Sequence, residues 1–173
     1  YGLVAFASSL DQIGPITKDV TDSAIMLNTL AGHDSKDSTS IWSCDTPDYL
    51  SNIDQGIDNL KIGIPSEYLV EGMENGVKTS ILKAIDILID LGADVEEVSL
   101  PHSSFALAVY YIIAPSEASA NLARYDGVKY GYSTPNATDM WDSLEKTRQE
   151  GFGDEVKRRI LLGSYALSSG YYD

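Results

Sequence analysis

The alternation of apolar and polar positions between residues 60 and 98 predicts one complete supersecondary unit. Leu60 to Ile64 (LKIGI) reads as a strand closed by Pro65. Gly76 to Leu91 repeats apolar side chains at helical spacing. Val77, Ile81, Ala84, Ile85 and Leu88 fall on its inward face, Lys78, Lys83, Asp86 and Asp90 point outward, and Gly92 ends it. Ala93 to Val98 (ADVEEV) is a second strand, closed by Pro101. Strand, helix and strand within this length predict a right-handed βαβ crossover with parallel strands. Two strands make a narrow sheet with open edges, so exposed apolar surface is expected around it.

On either side of this unit the pattern is less regular. Residues 3–7 (LVAFA) predict a short buried strand, and residues 9–15 a loop. Thr17 or Asp19 is placed to cap a helix running to about Leu30, with Val20, Ala24, Leu27 and Ala31 on one face and Gly32 as its stop. Residues 33–59 are rich in Asp, Ser, Thr and Asn and read as a long surface loop, with one short helix near residues 49–53. After Pro101 the chain is mostly helical. Ser103 or Ser104 can cap a helix through Phe105, Val109, Tyr110 and Ile113, and Pro115 is expected to kink or break it before residues 117–124 continue. Residues 130–136 form a loop, and an amphipathic helix covers residues 139–149. The fold class is α/β, and the length suits one domain.

The last helix, over residues 153–167, carries the most informative detail. Stepping 100° per residue from Val156 puts Leu162, Ala166, Gly163, Val156, Leu167 and Ile160 on one apolar, small-residue arc. Arg159 falls inside that arc, at about 300°, whereas Lys157, Arg158, Ser164 and Tyr165 fall outside it. A guanidinium on a buried face cannot shed its charge and needs an anionic partner. Two readings remain open: a carboxylate-binding arginine in a pocket, or an internal salt bridge to one of the chain's many acids.

Composition narrows the partners. The chain of 173 residues has 12 Lys and Arg against 26 Asp and Glu, a formal charge of −14. That balance argues against direct contact with nucleic acid or an anionic membrane. Cys44 is the lone cysteine, so a disulfide framework is excluded and a reducing, cytoplasmic compartment suits the chain. His33 and His102 lie far apart, and no metal-ligand spacing exists. No apolar run is long enough to span a membrane and no signal-peptide pattern is present. The start at Tyr1 and the end at SSGYYD suggest a piece of a longer chain.

The remaining polar residues favour structural roles. Ser8, Ser9, Ser168 and Ser169 lack the adjacent base and strained turn of a nucleophile, with Lys18 only a distant base. No dinucleotide or phosphate-loop fingerprint occurs. Asp11 is expected to cap its own loop backbone. Tyr110, Tyr111 and Tyr125 are expected to pack in the core with satisfied hydroxyls. Glu117 is a natural internal partner for Arg124 or Arg159.

Several runs carry a family resemblance. YGLVAFASSLDQIGPIT at 1–17 and DSTS at 37–40 resemble segments of the amidase-signature enzymes. YYIIAPSEASANLARYDGVKYG at 110–131 and GFGDEVKRRILLGSYALSSGYYD at 151–173 are more specific. They resemble the glutaminase subunits of three-subunit amidotransferases acting on glutamyl-tRNA(Gln). The resemblance spans essentially the whole chain and is weakest at 41–58 and 132–146. It implies part of the amidase-signature fold, a mixed sheet flanked by helices, with residues 1–173 as the middle of a single domain. It implies that a Ser–cis-Ser–Lys triad attacks the glutamine side-chain amide. Ammonia then passes to the B subunit of the complex, which amidates glutamyl-tRNA(Gln) with ATP and Mg2+, while the C subunit braces the pair. The triad would lie N-terminal to Tyr1, so no catalytic residue and no cofactor are expected in this chain. Carried over residue by residue, Arg159 would hold the glutamine α-carboxylate, Tyr110 would line the pocket and Phe6 would pack near the scissile amide. The aspartate that would take the substrate ammonium lies outside this chain. The resemblance shifts the balance at Arg159 toward the ligand reading. A general amidase and a non-catalytic scaffold remain as rival functions.

Overall fold

A computed structural model describes residues 1–42, 45–168 and 170. Cys44 and Ser169 lie outside the described residues. The chain divides into two compact units, one of residue 1 with residues 14–105, the other of residues 2–13 with residues 106–173.

The first unit contains the βαβ element. Strands β1 (Lys61–Pro65) and β2 (Asp94–Val98) pair in parallel, with Lys61 opposite Asp94 and Pro65 opposite Val98. Of the helices, α1 (Val20–Leu30) precedes this element and α2 (Asn75–Asp90) connects its strands. Glu74 caps α2, accepting from the amides of Gly76 and Val77, each at 2.9 Å. The face expected to be inward is only partly covered: Ile85 and Leu88 are half-buried, whereas Val77, Ile81 and Ala84 are exposed. A two-stranded ribbon is narrower than a four-turn helix, which accounts for the bare end and for the expected exposed apolar surface. Helix α1 starts at Asp19, whose carboxylate accepts from the amide of Asp22 at 2.9 Å, and Gly32 follows with φ +145°. The short helix expected near residues 49–53 is instead a run of turns, anchored by Asn28, which donates to Asp48 and accepts from the amide of Tyr49.

The second unit is helical. Helix α3 (Ala106–Leu122) follows a 3-10 turn at Ser103–Phe105. It runs through Pro115 without the break that is one of the two outcomes expected there. Pro115 is buried with Ala114 and Ala118, so the packing of this segment outweighs the backbone hydrogen bond that proline cannot donate. Helix α4 (Met140–Gly151) is capped by Asp139, and helix α5 (Asp154–Ala166) begins after Gly153. Arg148 of α4 donates to the carbonyls of Leu122 and Tyr125 at 2.9 and 3.1 Å, tying α4 to the last turn of α3.

Residues 3–7 form no strand. They lead into a turn that Asp11 organises: its carboxylate accepts from the amides of Phe6 at 2.8 Å and Ala7 at 3.1 Å. A short apolar run gives the same signal for a strand or a packed turn, and here the side chain satisfies the backbone locally. Among the described residues no helix is long and apolar enough to cross a membrane.

Candidate functional site

The site is built where α5 lies on α3. The two helices run in the same sense: Arg158 and Arg159 lie beside Tyr110 and Tyr111, and further along both helices Ser164 meets Ser119, their hydroxyls 2.9 Å apart. Gly163 allows the close approach. A Cβ there would stand 1.9 Å from the carbonyl oxygen of Pro115 and 2.8 Å from the Ser119 Cβ.

This packing corrects the helical arc in part. Gly163 is buried and Val156, Ile160 and Ala166 are half-buried, but Leu162 and Leu167 are exposed. Arg159 is half-buried rather than buried, with its side chain 33% exposed, against 56% for Arg158. Lys157, expected off the arc, is also half-buried and pairs with Asp154 at 3.1 Å.

Glu155 sits one turn before both arginines. Its carboxylate takes the side edge of Arg158 through Nε and NH2, each at 2.8 Å. From Arg159 it takes Nε, also at 2.8 Å. These hydrogen bonds, from Arg158 first and Arg159 second, hold the Glu155 carboxyl down to about 2. The Glu155 hydrogen bond raises the basicity of Arg159 against the opposing effect of burial, with smaller contributions from the Glu155 charge and the Tyr110 hydroxyl. The salt bridge envisaged from sequence therefore exists, but its partner is the local Glu155, not Glu117.

Glu117 anchors a loop instead. It accepts from the Ser9 amide at 2.9 Å and from the Ser9 hydroxyl. One turn on, Asn121 donates to the Phe6 carbonyl at 3.0 Å, and Arg124 donates to Asn121. Helix α3 thus staples the loop of residues 6–11, and Phe6 emerges from it with its ring centroid 5.9 Å from the Arg159 guanidinium. Ser9 is accounted for by this clamp and Ser168 by its hydrogen bond to the Tyr165 carbonyl. Hydrogen bonds from the amide and hydroxyl of Ser9 lower the Glu117 carboxyl below its ordinary value. The clamp therefore contributes stability above the unfolded carboxyl value and loses it as pH falls through the lowered folded one. Protection of the Ser9 amide from hydrogen exchange is expected to hold at neutral pH and to be lost only as the pH falls below the ordinary glutamate range. Constant protection at still lower pH would show that the ionised carboxylate is not the anchor.

Tyr110, Tyr111 and Tyr125 depart from the expected core packing to different degrees. Tyr110 and Tyr111 are exposed and meet edge to face at 5.4 Å, whereas Tyr125 is half-buried against Tyr130 at the same distance. The cleft lined by Tyr110, Ala114, Arg159 and Leu162 is about 10 Å³, room for roughly one water. A second cleft of about 260 Å³ is lined by Leu122, Tyr125, Tyr130, Tyr132 and Phe152, with no charged side chain among its walls. No group of three His, Cys, Asp or Glu side chains that could hold a metal ion occurs among the described residues.

The structure thus brings Arg159, Tyr110 and Phe6 together from three separate segments. Glu155, Glu117 and Asn121, which hold them, carry no sign of these contacts in the hydrophobic pattern. The spacing of Glu155 to Arg158 and Arg159, three and four residues, is the signal that could have found the first.

The Amidase family matches residues 1–173, and the chain belongs to that family. Within it, the chain is 62% identical over 173 residues to the A subunit of glutamyl-tRNA(Gln) amidotransferase from Halalkalibacterium halodurans, covering all of this chain and 36% of that protein. It is 61% identical to the corresponding protein of Carboxydothermus hydrogenoformans, with the same coverage. The crystal structure of the A subunit of glutamyl-tRNA(Gln) amidotransferase from Thermotoga maritima superposes with a TM-score of 0.68 at 41% identity, covering 99% of this chain and 32% of that one. The fold is therefore that of the amidase-signature enzymes. The chain spans about a third of the length of these relatives.

Proposed function

We propose that this chain is the glutamine-binding part of the glutaminase component of a cytoplasmic glutamyl-tRNA(Gln) amidotransferase. The whole protein hydrolyses glutamine and hands the ammonia to the B subunit. The B subunit, with ATP and Mg2+, converts glutamyl-tRNA(Gln) to glutaminyl-tRNA(Gln), and the C subunit completes the assembly. The observation that carries this reading is the meeting of Arg159, Tyr110 and Phe6 in a chain so similar to named amidotransferase components. A guanidinium can grip a carboxylate by two parallel hydrogen bonds. Phe6 packs against the side-chain amide and Tyr110 lines the pocket. The 58–62% identity to amidotransferase components favours this reading over a general amidase or a scaffold.

The test uses the full-length protein in complex with the B and C subunits. Glutamine is expected to support formation of glutaminyl-tRNA, with one glutamate released per product. The 173-residue chain by itself, in which Ser9 and Ser168 are engaged in structural hydrogen bonds, is expected to release no ammonia from glutamine above the buffer rate. Glutamine-independent behaviour of the assembled enzyme, or turnover by the isolated chain, contradicts the proposal.

A further inference from the structure

We propose that Glu155 is the positioning residue for Arg159, holding the guanidinium by its Nε edge so that its terminal nitrogens are presented to the substrate carboxylate. The inference rests on the ligand role of Arg159 proposed above.

A guanidinium offers a carboxylate two bidentate edges, one made by Nε with a terminal nitrogen and one made by the two terminal nitrogens. Glu155 treats its two arginines differently. It fills the Nε–NH2 edge of Arg158 with both carboxylate oxygens. From Arg159 it takes Nε through Oε1. Nε of Arg159 is thereby engaged, and among the described residues no carboxylate pairs with its terminal nitrogens, near which the Tyr110 hydroxyl also lies. The spacing makes this arrangement local, since residues three and four apart share a helix face, and a carboxylate in the first turn of α5 also suits the positive end of the helix dipole. The charges fit as well. Two guanidinium groups and one carboxylate leave a single positive charge, which one α-carboxylate neutralises. The other walls of the cleft, Tyr110, Tyr111, Ala114, Pro115 and Leu162, carry no carboxylate to compete.

A surface ion pair with no positioning role predicts something different, since exposed pairs contribute little to stability and nothing to substrate affinity. The two are separated in the full-length protein within its three-component complex. Glu155→Ala is expected to raise KM for glutamine about tenfold, the loss of one charged hydrogen bond's worth of orientation, with kcat nearly unchanged. Glu155→Gln, which keeps the shape and an acceptor oxygen, should raise KM less. Amidation driven by ammonium chloride should be unaffected by either. In an Arg159→Ala background, Glu155→Ala should cause no further loss of kcat/KM, because its effect passes through the arginine. An unchanged KM, an effect additive with Arg159→Ala, or a parallel fall in the ammonium-driven rate overturns the positioning role. If Glu155→Ala fails to assemble, Glu155→Gln decides by the same readouts. If Arg159→Ala cripples glutamine use and the Glu155 variants do not, the positioning role alone fails. If Arg159→Ala leaves glutamine use intact, the reading beneath it fails.

Discussion

Arg159→Ala in the full-length protein, within its complex, is expected to cut glutamine-dependent amidation of glutamyl-tRNA by about 30-fold or more. Losing one partner of a hydrogen-bonded charge pair costs about 2–5 kcal/mol. The Arg159 side chain is 33% exposed, which places the expected cost toward the lower end of that range. Arg159→Lys should recover part of the loss, because an ammonium keeps the charge but cannot reproduce the fork. Arg158→Ala should matter less, because it lies off the apolar arc and is 56% exposed. Ammonium chloride in place of glutamine should restore product formation with every variant, since free ammonia bypasses the site. Normal glutamine use by Arg159→Ala would remove the ligand role. Failure with ammonium as well would assign Arg159 to structure.

The parts of this chain legible in sequence are those where periodicity and caps agree. The strands at 61–65 and 94–98, their parallel pairing and the helix between them follow from alternation, a 3.6-residue repeat and bounding Gly and Pro. Asp19 and Asp139 mark helix starts because their carboxylates accept from amides three residues on. What escaped depends on partners that periodicity does not encode. LVAFA looks like a strand until Asp11 takes the Phe6 and Ala7 amides. Pro115 looks like a break until the burial of its neighbours is known. The arc containing Arg159 overstates its depth, since its side chain is 33% exposed, and the acid it pairs with is Glu155, four residues away. The tertiary clamp from Glu117 to Ser9 spans 108 positions and has no local signal at all.

Gly163→Ala is expected to destabilise the protein by about 1–3 kcal/mol, despite alanine being the better helix former by about 1 kcal/mol. Glycine inside a helix is costly, so its presence in α5 indicates a neighbour that admits no Cβ. That neighbour is backbone: the added carbon would lie 1.9 Å from the Pro115 oxygen and 2.5 Å from its carbonyl carbon. A flexible side chain could turn aside, but the Pro115 carbonyl sits inside α3, so the two helices must separate. Arg159 is one turn away on the same helix, and separation would carry it from Tyr110 and from Phe6. Gly163→Ala should therefore lose glutamine use together with stability, a pairing that the Arg159 variants should not show. Ser164→Ala provides the control, since it removes only the exposed hydroxyl contact with Ser119 and should remain within about 0.5 kcal/mol of the parent. Denaturant titration of the three proteins decides the matter. Equal stability of Gly163→Ala and the parent would mean that α5 does not pack on α3 at this distance, and that the arrangement of Arg159, Tyr110 and Phe6 needs another support.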